Sequence, residues 1–103
     1  MALQIITKKR FLNSVQKTTK YLKEEWGKKV ADEFTILVIY KIQLLSKQPQ
    51  IGSNTSFKNI KAVLAGKGYQ HKIYYRVEKN KLIIINMKDT RRNPKTNPFN
   101  KPA

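Results

Sequence analysis

Apolar residues recur along this chain with one period before residue 50 and another after it. Phe11, Val15, Leu22 and Trp26 stand at helical spacing with lysines between them, which predicts a helix over residues 8–26. Thr7 is placed to cap its start, and Gly27 follows where a glycine ends a helix. The next stretch is ambiguous by propensity. Phe34-Thr-Ile-Leu-Val-Ile-Tyr40 is β-branched and continuously apolar, as in a buried strand. Length decides for a helix. Residues 28–47 contain neither Gly nor Pro, Pro49 ends the run, and Val30, Phe34, Leu37, Lys41 and Leu44/Leu45 keep a helical period. The wide apolar sector implies burial on two sides, against a sheet and against the first helix.

After residue 47 the pattern changes. Residues 48–56 carry turn chemistry. Residues 57–65 read as a strand, and Gly66-Lys-Gly68 as a turn. Residues 69–77 alternate: Tyr69, His71, Ile73, Tyr75 and Val77 share one face, and Gln70, Lys72, Tyr74 and Arg76 share the other. Lys79-Asn80 fits a tight hairpin, and the isoleucine-rich residues 81–87 form its second strand. A short strand over residues 3–6 precedes the first helix. The order β-α-α-β-β-β predicts an α+β domain, with a two-helix hairpin on one face of a small antiparallel sheet. The domain spans residues 1–92. Residues 93–103 are a polar, Pro-containing tail with Pro94, Pro98 and Pro102.

Composition narrows the function classes. The 103 residues fit one domain. Zero Cys excludes disulfides, thiolate zinc sites and a cysteine nucleophile, and one His excludes a multi-histidine metal site. Neither a metal nor a cofactor is expected. No apolar run approaches the roughly 18–20 residues of a membrane span, and no basic region precedes an apolar stretch as in a signal peptide. A cytoplasmic protein with no membrane partner is the expectation. The net charge of +16 stands out. Residues 1–52 hold 10 basic and 4 acidic side chains, and residues 53–103 hold 12 and 2, so the second half is the more basic. Such an excess points to a polyanion or an acidic protein.

Four stretches, in order, resemble the RelE/ParE superfamily of toxins from bacterial type II toxin–antitoxin (plasmid stabilisation) systems. "EEWGKKVADEF" joins the helices, "LLSKQPQIG" closes the second, "HKIYYRV" is similar to the family's middle strand, and "LIIINMKDTRRNP" to its last strand with an Arg-rich end. The resemblance covers residues 3–94 and implies the same element order. It also implies growth arrest and a small acidic antitoxin that neutralises the toxin, with a disordered segment folding as it wraps it. Two targets are implied within the superfamily: ribosome-bound mRNA, which RelE-like members cut, and DNA gyrase, which ParE-like members inhibit without catalysis.

Metal-free RNA cleavage needs cations for the phosphate and groups that move protons. Lys72 falls where RelE-like nucleases carry an arginine, and Lys88 near where several place a proton-transfer group. With Arg91 these are the catalytic candidates. Lys72, Tyr74, Arg76, Arg91 and Arg92 are the candidates for binding a target or its phosphates. Lysine at 72 keeps the charge but loses the bidentate grip of arginine. No histidine follows the last strand and no tyrosine stands near the end of the chain, which moves the pattern towards ParE-like members. His71 lies on the apolar face and reads as a structural residue. Tyr75 reads as core with its hydroxyl bonded, Trp26 as hairpin packing, and Asp89 as an ion-pair partner of the adjacent arginines. Two other classes share the fold expectation: a non-toxic basic nucleic-acid-binding module using the sheet face, and an inactive toxin relative that titrates an antitoxin.

Overall fold

In a computed structural model, which describes residues 2–65 and 71–89, the chain begins with strand β1 (Gln4–Thr7). Helices α1 (Lys9–Trp26) and α2 (Lys28–Lys47) follow. The second half supplies β2 (Ser53–Asn54), β3 (Lys61–Leu64), β4 (His71–Glu78) and β5 (Lys81–Asp89). The ambiguous stretch around Phe34 is helical over the range expected. Ala31, Phe34, Val38, Ile42 and Leu45 are buried at spacings of three and four. They meet Ile73, Tyr75, Leu82, Ile84 and Met87 of the sheet in one core, so the helical hairpin covers one sheet face.

A single residue makes the helical hairpin. Gly27 has φ 94 and ψ 167, a region essentially restricted to glycine. Its N–H donates to the Lys23 carbonyl at 3.0 Å, closing α1, and its own carbonyl accepts from Ala31 at 3.3 Å, opening α2. Thr7 does not cap α1. It is still in β1, paired with Ile84, and the capping position falls to Lys8, whose side chain makes no capping bond.

Three further expectations are corrected. The sheet is mixed, in the order β1-β5-β4-β3-β2, because β1 runs parallel to β5 from Gln4↔Lys81 to Thr7↔Ile84. A hairpin can only join antiparallel strands. Here two helices and three strands lie between the partners, so a parallel pairing is open to them. The expected loop over residues 48–56 contains a 3₁₀ turn (Pro49–Ile51) and β2, which pairs with β3. Trp26 does not pack the helical hairpin: it is 69% exposed at its tip. Helix α2 is buried against the sheet and against α1, as expected, while a further apolar row of Ile36, Ile39 and Tyr40 stays exposed.

Candidate functional site

The candidate site grows from the alternation of β4. Ile73 and Tyr75 belong to the core under the helices, so Lys72, Tyr74 and Arg76 take the opposite face. Strand β5 cannot match this by simple alternation. Ile84 and Met87 both enter the helix-side core, although three positions apart. A bulge solves the conflict. Tyr74 pairs with Asn86 and Tyr75 with Ile84, which leaves Ile85 as the extra residue. Beyond the bulge the parity of β5 is reversed. Met87 is thereby set opposite Ile73, and Lys88 opposite Lys72 on the outer face.

The two lysines are therefore direct cross-strand neighbours, with Cβ atoms on the order of 5 Å apart in such a pair. Like charges in this relation oppose folding. Both side chains are half-buried, and Lys72 also has Leu64 of β3 as its partner on the other side. Arg76 lies four residues along β4 on the same face, about 13 Å from Lys72 at strand rise. Its Nη2 stands 3.6 Å from Glu78 Oε2, with both side chains well exposed, so the pair adds little to stability. Its Nε is buried. The structure thus brings Lys72, Lys88 and Arg76 onto one face. Arg91 and Arg92 lie outside the described residues. So do the Gly66-Lys-Gly68 turn, Tyr69 and the tail.

Tyr74 departs from the expected role. It is fully buried, so its ring is packing in this face and is out of reach of a base. Its cross-strand partners Ala62 and Asn86 are buried too. His71 is on the other face, as the alternation implies. It is buried, stands edge-on to the Phe34 ring with centroids 5.1 Å apart, and its Nε2 is 4.0 Å from Asp89 Oδ2. Register makes this pair, since His71 sits opposite Asp89. The arginines expected to pair with Asp89 lie outside the described residues; within them, Asp89 meets the histidine across the strand.

Tyr75 anchors the frame behind the site. Its hydroxyl donates to the Pro49 carbonyl at 2.6 Å and accepts the Gly52 N–H at 2.9 Å. Burial pushes its pKa above the ordinary tyrosine value, and the Gly52 hydrogen bond acts the other way. At the opposite side, Ser14 of α1 donates to Asn86 Oδ1 at 2.9 Å, tying α1 to β5 near the bulge. Sequence reasoning found the lysines one by one. It missed their juxtaposition, because only the register and the bulge create it.

Comparison with known proteins places this geometry. The model of the ParE toxin of type II toxin–antitoxin systems, parDE, matches residues 5–94. The chain belongs to the ParE toxin family. It is a toxin of a type II toxin–antitoxin system, and the partner of such a toxin is an antitoxin. No curated protein sequence matches it. The chromosomal ParDE toxin–antitoxin system of P. aeruginosa contains a chain of the same fold. Its TM-score is 0.75 at 9% identity, with 85% of this chain and 96% of that one covered. A conserved hypothetical protein of Helicobacter pylori, known from its solution structure, aligns with TM-score 0.52 at 21% identity over 86% of this chain and 96% of its own. Both identities are low, so these two speak for the fold. Among the described residues of this ParE-family toxin, no helix is long and apolar enough to cross a membrane.

Proposed function

We propose that this ParE-family toxin arrests growth by binding DNA gyrase, and that it does so without cutting RNA. The observation that carries the reading is the chemistry of the outer sheet face. Transfer of a proton from a 2′-OH calls for a group of suitable pKa within hydrogen-bond reach. Where nuclease relatives carry such groups, this chain sets Lys72 directly across from Lys88. Its single histidine faces the helices instead, packed against Phe34 and Asp89. A paired-cation face suits the recognition of an anionic surface. In this reading Lys72, Lys88 and Arg76 are binding groups; Arg91 and Arg92, the other basic candidates, lie outside the described residues. An acidic antitoxin neutralises the toxin in the cytoplasm.

The test is a pulse of expression in a bacterium. Plasmid supercoiling and primer extension on abundant mRNAs are then read from the same cells. Altered supercoiling or trapped DNA breaks with intact mRNA is the expected result. Translation-dependent cuts inside codons would replace it with ribosomal RNA-cleaving activity and make Lys72, Lys88 and Arg91 catalytic. Lys72→Ala is expected to lose growth arrest while keeping its fold by circular dichroism. Full toxicity of that folded variant would remove Lys72 from the target-binding surface.

A further inference from the structure

The outward side of α2 is unusual for a solvated helix. Its exposed positions follow one line: Lys28 and Lys29, Asp32 and Glu33, Ile36, Ile39 and Tyr40, Gln43, then Lys47. The charges are at the two ends. The middle is uncharged, and its three apolar side chains are 65%, 51% and 64% exposed for Ile36, Ile39 and Tyr40. Spacings of three and four put them in one row, about 10 Å long from Ile36 to Gln43 at helical rise. Charges would be the cheap filling for such positions, and 22 of 103 residues in this chain are Lys or Arg. Asp32, at one end of the row, is already paired with Lys28 at 3.3 Å. An exposed apolar row of this kind marks an interaction surface.

Three occupants come into question: a second copy, the growth target, and the antitoxin. Charge decides against the first. Two copies would each bring +16 to a contact whose only anions are Asp32, already paired with Lys28, and Glu33. The target is assigned above to the opposite layer of the molecule. The helices cover one face of the sheet, and Lys72 and Lys88 are on the other. We propose that Ile36, Ile39 and Tyr40 form the docking row for an amphipathic helix of the antitoxin. That helix would be apolar on the side facing α2 and acidic on its flanks. The row matches the i, i+3, i+4, i+7 anchors by which one helix grips another. Acidic flanks would meet Lys29, Lys41 and Lys47 at its borders. The proposal rests on the toxin reading for the existence of the antitoxin, and it is independent of gyrase as target.

The test uses the full toxin and the antitoxin that neutralises it in cells. Ile36→Ser, Ile39→Ser and Tyr40→Ser are made singly and together. Each changes an exposed side chain, so the folded state survives, which circular dichroism verifies. The triple variant is expected to arrest growth as before, to resist neutralisation, and to bind purified antitoxin at least a hundredfold more weakly by calorimetry; single variants lose about tenfold. Wild-type affinity is expected to fall as salt rises. Neutralisation and affinity within threefold of wild type in the triple variant would overturn the proposal, as would salt-independent binding. Loss of growth arrest in the folded triple variant would give the row to the target instead. A wild-type dimer that becomes monomeric in the triple variant would give it to a second copy. Unchanged supercoiling in wild-type cells would sink the gyrase reading alone, since the binding arm needs only the two purified proteins.

Discussion

Replacing Tyr75 by Phe removes one oxygen and tests how the loop after α2 is held to the sheet. That oxygen makes two hydrogen bonds, donating to Pro49 and accepting from Gly52. Each is worth about 0.5–1.5 kcal/mol net, so the loss is about 2 kcal/mol. The ring itself stays, so no cavity opens. With a urea m-value of about 1.3 kcal/mol/M, the unfolding midpoint falls by about 1.5 M. The pH dependence gives a second reading. Burial holds the folded-state pKa of Tyr75 above its unfolded value. Above the unfolded value the unfolded chain loses this proton first, so stability declines as pH rises through the folded value. Wild type should show this decline on the alkaline side, and Tyr75→Phe should lack Tyr75's share of it. A midpoint within 0.3 M of wild type, or identical alkaline limbs, would refute the account. Gly52→Ala probes the same contact from the other side. A Cβ there would stand 2.8 Å from two ring carbons of Tyr75, while the backbone of Gly52 is ordinary extended chain, so the cost is steric.

Three other substitutions bear on the helices. Gly27→Ala meets nothing within 4 Å, yet forces an L side chain onto φ 94; it should cost about 1–3 kcal/mol in chemical denaturation, and a neutral result would contradict the conformational argument. Trp26→Ala should change stability by less than about 0.5 kcal/mol, since the side chain is exposed. The only tryptophan of the chain should correspondingly emit as a solvated indole and be readily quenched by acrylamide; blue-shifted, protected emission would contradict its placement. Ser14→Ala removes a 2.9 Å bond to Asn86 and should cost about 1 kcal/mol by thermal or urea unfolding. The Asn86 oxygen still accepts from the Met87 N–H at 2.8 Å, so a loss much above that would point to another role for Ser14.

The helices were legible because their signals are local. A run free of Gly and Pro, a period of three to four and Gly27 at the junction are properties of neighbouring residues. The alternation of β4 was local too, and it placed His71, Ile73 and Tyr75 inward. What stayed hidden depends on partners distant in sequence. Nothing in Gln4–Thr7 states that it will run beside Lys81–Ile84, and nothing in β5 announces that Ile85 is skipped. Tyr74 illustrates the same limit, since alternation predicts its face but not whether that face is covered. For α2 the burial against the sheet and α1 was legible, and the exposed row of Ile36, Ile39 and Tyr40 was not. Hydrophobicity marks residues that avoid water without saying whether the chain itself or another protein shields them.

The parallel pairing of β1 with β5 also has a consequence in time. Gln4 meets Lys81, so β1 can find its neighbour only after residue 81 has been made. At 5–20 residues per second that interval is on the order of 4–15 s. During it the helical hairpin can form, but its core residues Phe34 and Leu45 have no complete sheet to rest on. The juxtaposition of Lys72 and Lys88 arises at the same late moment, with the hairpin of β4 and β5. A chain interrupted before residue 81 therefore carries both helices and none of the paired-cation face. The face proposed to meet the target is thus completed only after both helices have been made.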